Sequence, residues 1–281
     1  MYHRSNMKRN VVVLLLMLGL ALSARVNAGE SVRIGGTGTG TLLVERLIDT
    51  YTKAHPDIQV TTILPPMGSN GGLRALDAGS IQIAIVTFAS AYPETSAGSM
   101  QRNTVPWVRT PFVFTGKEIT GGTPMTLKQV AGIYSGRVAQ WPDGRAVRLV
   151  TRTERETDTR LLRAISTEMN ESISLALKRL GMPFAENDLD NQQLLERTPG
   201  SFGAIAFGQL LLTNSPLKPA KLDGVVPSAD NLLIGSYRLE KQLQLVTGKE
   251  PSTATRSFIE YLQSPAVMQA IRQYGFIPAK R

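Results

Sequence analysis

In the run Gly35-Gly36-Thr37-Gly38-Thr39-Gly40-Thr41, glycines let the backbone approach a small molecule closely and threonines place hydroxyls beside N–H groups. If a helix begins there, its free N–H groups add further donors, and the segment is suited to holding an anion. A second stretch of the same character, Met67-Gly68-Ser69-Asn70-Gly71-Gly72, follows further along the chain. Two nucleotide chemistries fail on the first run. A dinucleotide fingerprint starting at Gly36 and Gly38 needs glycine where Thr41 stands, and a phosphate-binding loop starting at Gly35 needs lysine at that same position. The remaining alternative to an anion turn is a solvated linker.

Catalytic constellations are scarce. The two histidines are His3 and His55, the chain has no cysteine, and it contains no Gly-x-Ser-x-Gly elbow. Neither histidines nor cysteines have metal-ligand spacing. No catalytic residue, metal ligand or cofactor is assigned, and His55 beside Pro56 reads as an exposed residue at a helix end.

The elements that position the two turns form an alternating α/β pattern. Residues 31–34 read as a strand, and Leu43, Leu47, Ile48 and Tyr51 mark one apolar face of a helix closed by Pro56. Residues 58–64 alternate as a second strand, 73–78 form a short helix, and 81–86 form an apolar strand with Thr87 just beyond it. Each turn then lies at the C-terminal end of a strand, the edge of an open α/β sheet where ligands bind. From Arg102 the character changes: 104–115 alternates around Pro106 and Pro111 like an extended segment crossing between domains, and 127–134 reads as a helix.

At the N-terminus, Arg4, Lys8 and Arg9 precede an apolar stretch over 11–22, shorter than the ~20 residues of a membrane span, and Val26-Asn27-Ala28 supplies small residues for cleavage. Residues 1–28 are therefore expected to be a cleaved export signal. Removing Arg4, Lys8, Arg9 and Arg25 with it leaves 27 basic residues against 22 acidic, and the formal charge falls from +9 to +5. That mild excess suits anionic ligands, while the lack of a basic run interleaved with aromatics argues against nucleic acid.

The segment Ile133-Tyr134-Ser135-Gly136-Arg137-Val138-Ala139-Gln140-Trp141 resembles the "IFSGKITNW" stretch of phosphate-type periplasmic substrate-binding proteins, the soluble receptors of ABC importers. Gly68 to Leu73 with Ala75, Leu76 and Gly79 resembles their "GSGGGIKAL..G" turn and helix, the Gly203 to Phe207 segment their "GAIGYV" strand, and SFIEYLQSPAVMQAIRQYGFIP, from Ser257 to Pro278, their closing segment. The resemblance implies a type II periplasmic-binding-protein fold: two α/β domains joined by two crossing strands around a ligand cleft. The implied division is 29–111 plus 241–281 for one domain and 112–240 for the other. Residues 242–247 suit the returning strand, and a final helix would pack through Phe258, Leu262, Val267, Met268 and Ile271.

The implied function is periplasmic capture of a small tetrahedral oxyanion, inorganic phosphate first, by a monomer that delivers it to an ABC importer permease. Other solutes, a periplasmic sensor subunit and, in a different class, a hydrolase on the same fold are the alternatives. The family's arginine-led loop, RxxxSGT, matches at Arg152, but Glu156, Thr157 and Asp158 stand where it has serine, glycine and threonine. Arg152 could make a forked pair of charge-assisted hydrogen bonds to an oxyanion. Thr39, Thr41, Ser69 and Thr157 would add hydroxyls, and Gly40, Asn70 and Gly71 would add N–H groups. Thr157 or Asp158 could cap the next helix, whose first-turn N–H groups would face the cleft. Thr87 stands where the phosphate receptors carry the aspartate that accepts a proton from hydrogen phosphate. Asp158 or Glu156 could supply that acceptor instead, or both could point to solvent.

Overall fold

The structure, a computed structural model, describes residues 30–87 and 101–280. The expected export signal, 1–28, lies outside the described residues. The elements in chain order are β1 (Glu30–Gly36), α1 (Gly38–Ala54), β2 (Ile58–Thr62), α2 (Gly68–Asp77), β3 (Ile83–Thr87), β4 (Arg102–Thr115), β5 (Pro124–Met125) and α3 (Leu127–Ser135). They continue with β6 (Arg148–Leu149), β7 (Thr151–Arg152), α4 (Thr157–Arg163), α5 (Thr167–Lys178), β8 (Phe184–Ala185), α6 (Asp188–Arg197), β9 (Ser201–Ala206) and α7 (Phe207–Leu212). The last are β10 (Lys221–Leu222), α8 (Ala229–Leu233), β11 (Glu240–Gly248), α9 (Thr253–Leu262), α10 (Pro265–Ala270), a 3-10 turn (Ile271–Tyr274) and β12 (Ile277–Pro278).

The main sheet has the order β2-β1-β3-β11-β4-β9-β6, with β12 on β4. β1 is parallel to both neighbours, and Ile34 lies opposite Thr62 on one side and Ile83 on the other. Val32 and Ile34 share one face of this strand and are fully buried, while Ser31 and Arg33 on the other face are exposed. β11 returns antiparallel between β3 and β4. β4 is the long element: its first part pairs with β11, and Phe112 to Thr115 pair antiparallel with β9.

Apolar side chains collect on either side of this division. Val32, Leu43, Leu47, Tyr51, Phe258, Leu262, Ile271 and Phe276 belong to one cluster, and Phe112, Phe114, Tyr134, Ile173 and Phe202 to another. Phe114 and Phe202 stack with ring centroids 6.0 Å apart. The expected single closing helix is instead α9, α10 and the 3-10 turn. Ser264 caps α10 through its hydroxyl to the Val267 N–H, and Pro265 occupies the first helical turn, so the chain restarts rather than continues. Phe258, Leu262, Val267 and Ile271 are buried as expected, with Met268 partly so. His55 ends α1 half-buried, its ring stacked on Tyr51 at 4.3 Å. Among the described residues no helix is long and apolar enough to cross a membrane.

Candidate anion-binding site

The glycine-threonine run is not a free turn. Gly35 and Gly36 end β1, Thr37 alone makes the connection in extended conformation, and Gly38 to Thr41 form the first turn of α1. The second run is likewise the opening of α2, whose helix begins at Gly68 rather than Leu73. The strand-to-helix junctions are thus tighter than the sequence suggests, and α1 presents its N-terminus at the sheet edge.

That N-terminus has no acidic residue in its first turn, and Thr37 makes no side-chain cap bond within the helix. Both needs are met by Asp188, the first residue of α6. Its Oδ2 accepts from Thr37 Oγ1 at 2.5 Å and from the Thr39 N–H at 3.1 Å, with Thr39 Oγ1 at 3.5 Å. Its Oδ1 accepts from Arg152 Nη1 at 2.5 Å and lies 3.3 Å from Lys241 Nζ. A carboxylate therefore occupies the position at which a helix N-terminus favours negative charge. Gly38 makes the approach possible, since a Cβ there would be 2.8 Å from Asp188 Cβ.

The surrounding charges form one buried network. Arg152, on β7, reaches Glu156 Oε2 through Nη2 at 2.7 Å and Asp158 Oδ2 through Nη1 at 3.4 Å. Lys241, on β11 and 1% exposed, lies 2.8 Å from Asp158 Oδ1. Two cations thus face three carboxylates. Opposite charges about 4 Å apart attract by roughly 4 kcal/mol at an effective permittivity of 20, while burying each ion costs several kcal/mol. The network is stable only when its members are paired.

Its titration follows from that balance. Burial alone would raise the Asp188 carboxyl, but Lys241, Arg152, the Thr37 hydroxyl and the Thr39 N–H outweigh it and hold the group well below the usual carboxylate range. Burial would pull the Lys241 ammonium down, yet Asp158 and Asp188 raise it. At Glu156 burial prevails over Arg152, and the carboxyl is raised.

The expected ligand residues divide into three groups. Thr39, Arg152 and Asp158 belong to the charged network. Ser69, Thr87 and Thr157 form a neighbouring knot, in which Ser69 Oγ accepts from the Thr87 N–H at 3.0 Å and lies 3.3 Å from Thr157 Oγ1. The Thr87 hydroxyl is buried without a hydrogen-bond partner among the described residues. The rest are turned to other work. Thr41 Oγ1 donates to the Thr37 carbonyl one helical turn back, Asn70 Nδ2 donates to the Arg155 carbonyl, and Gly40 and Gly71 are close-packed against Ile85 and Met67.

Two expectations change. Neither Thr157 nor Asp158 caps α4: Glu156 is the N-cap residue, without a side-chain cap bond because its carboxylate is committed to Arg152. Asp158, far from pointing to solvent, is 5% exposed and paired with both cations.

Asp188, Gln209 and Lys241 escaped sequence reading, and Thr37 was read only as part of the glycine-threonine run. Thr39 Oγ1 donates to Gln209 Oε1 at 3.0 Å, and Gln209 Nε2 donates to the Asp188 carbonyl at 2.8 Å. A lysine opening an apolar crossing strand was a usable signal for Lys241. Asp188 had none, because it lies among polar residues at an ordinary helix start, after the Asn187 cap.

The helix N-terminus at the strand-end edge of this α/β sheet lies where open α/β folds place their ligands. The chain belongs to the PBP superfamily, whose domain model matches residues 23–266. Across its length it is similar to the phosphate-binding protein PstS of Bacillus subtilis, 23% identical over 300 residues, covering 97% of this chain and 95% of that protein. A shorter match, 31% identical over 86 residues, covers 30% of this chain and 28% of phosphate-binding protein PstS 2 of Streptococcus agalactiae.

Among solved structures, a Clostridium perfringens protein described as a phosphate ABC transporter substrate-binding protein, with phosphate bound, has a TM-score of 0.72 at 17% identity. That match covers 89% of this chain and all of the other. An ABC-type phosphate transport receptor from Vibrio cholerae has a TM-score of 0.61 at 19% identity, with the same coverage. These likenesses bear out the expected periplasmic-binding-protein fold.

Proposed function

We propose that the chain is a periplasmic binding protein that captures a small tetrahedral oxyanion, phosphate first, and delivers it to the permease of an ABC importer. The observation that carries this reading is the set of donors converging on one carboxylate: the Thr37 hydroxyl, the Thr39 N–H, Arg152 Nη1 and Lys241 Nζ. Donors so arranged suit an oxyanion equally well. The names of the full-length Bacillus subtilis relative and the Clostridium perfringens neighbour point to phosphate.

In this reading 29–111 plus 241–281 form one lobe and 112–240 the other, with β4 and β11 as the crossing strands. Thr39, Ser69 and Thr87 line the cleft from the first lobe and Arg152, Thr157 and Asp158 from the second. The protein is a monomer that binds without turnover.

A thermal-shift panel of phosphate, sulfate, molybdate and organic solutes tests the ligand. A solute at 100 times its Kd stabilises the native state by about 2.7 kcal/mol, which at roughly 2–4 °C per kcal/mol for a chain of this size moves Tm by about 5–11 °C. A shift with phosphate supports the reading; no shift with any oxyanion at millimolar concentration rejects it.

A further inference from the structure

We propose that Asp188 is an internal ligand of this cleft: its carboxylate holds the two lobes together in the absence of solute, and an incoming oxyanion binds by displacing it. The inference rests on the binding-protein reading above and adds a residue that competes with the solute.

Three observations converge on it. Asp188 opens α6 in the second lobe, yet its Oδ2 is held by Thr37 and Thr39 at the α1 N-terminus of the first lobe. Its Oδ1 meets Arg152 and Lys241, so one side chain joins donors from both lobes and a crossing strand. The space it fills is cleared by Gly38, where any side chain would collide with it.

Charge then decides whether the two anions can coexist. With Asp188 in place, Arg152 and Lys241 are already outnumbered by Glu156, Asp158 and Asp188. A phosphate added to that set would meet net negative charge and find its donors taken. With Asp188 withdrawn, the two cations balance Glu156 and Asp158, the Thr37 hydroxyl and the Thr39 N–H lose their acceptor, and Arg152 Nη1 and Lys241 Nζ, left with Asp158 alone, each have a donor position for the solute. Displacement rather than addition follows from this count.

The absence of cysteine permits a clean distance measurement. Spin labels on the paired substitutions Arg74→Cys and Arg155→Cys, both exposed positions on opposite sides of the cleft, report its closure by electron paramagnetic resonance. In the ligand-free full mature chain the distance is expected to be short and narrowly distributed. Asp188→Asn weakens the latch while keeping its shape, and Gly38→Ala crowds the carboxylate while keeping every charge. Each is expected to lengthen and broaden the distance, with a cooperative thermal melt confirming a folded chain.

Phosphate titrated into Asp188→Asn should restore the short distance, and should bind about tenfold more tightly than to the parent if the latched form is about 90% of the resting population. Unchanged distances in both folded variants would overturn the latch, as would weaker phosphate binding by Asp188→Asn. The label arm reads the latch without any solute, so a cleft that opens in the variants but ignores phosphate would reject phosphate as the ligand and leave the latch standing.

Discussion

Asp188 and Glu156 belong to one network but titrate in opposite directions. The Asp188 carboxyl, held below its ordinary value of 3.8, contributes stability that is complete above that value and is lost as pH falls through the folded-state value. Glu156, raised above its ordinary 4.5 chiefly by burial, penalises the folded state increasingly as pH rises past that value. Urea denaturation of the parent, Asp188→Asn and Glu156→Gln across acidic to neutral pH separates the two. The parent's advantage over Asp188→Asn should shrink as pH falls below about 3.8. Glu156→Gln should instead gain on the parent as pH rises above about 4.5. Parallel stability curves for parent and Asp188→Asn would mean that the carboxylate is not held ionised by its partners.

At the scale of elements, the parallel part of the sheet depends on how closely β1, α1 and α2 approach β3. Gly36 has φ +132°, and a Cβ there would lie 2.0 Å from the Ile85 carbonyl oxygen. Gly79 has φ +67° but open space around it. Conformational strain alone should make Gly79→Ala cost about 1 kcal/mol, whereas Gly36→Ala adds a backbone collision and should cost roughly 3 kcal/mol or more. Urea midpoints measure both, and equal losses would show that the β1–β3 contact has slack. The same close approach explains why a sequence read as a loop is structure: Thr37 N–H donates to the Ile85 carbonyl at 2.9 Å, so the chain turns directly from β1 into α1. At Ile133 to Gly136 the sequence was more direct, because Gly136 at φ 84° ends α3 as its pattern suggests.

For the whole molecule, β4 runs from one apolar cluster to the other while β11 pairs beside it, with Lys241 opposite Thr110. Its ammonium ties this strand to Asp158 and Asp188. The export reading makes its own prediction at this scale. Protein recovered from the periplasm of an expressing bacterium should begin at Gly29 by intact-mass measurement and elute as a monomer. A retained N-terminus would replace the cleaved signal with an anchor.

The sequence by itself determined the alternation of strands and helices, the fold family and the segments that reach the site, because hydrophobic periodicity, glycine runs and motif order are local or sequential properties. Arg152, Ser69 and Thr39 were legible for that reason. The tertiary structure alone decided what those residues face. Asp188, far from Thr37 in sequence, closes on it only because folding brings α6 to the N-terminus of α1. Lys241 and Asp158 become a buried pair only when β11 crosses beside α4. Charge pairing depends on distance in space, which the order of residues along the chain does not specify. The anion character of the glycine-threonine run could therefore be read from its donors, whereas the identity of the anion resting there could not.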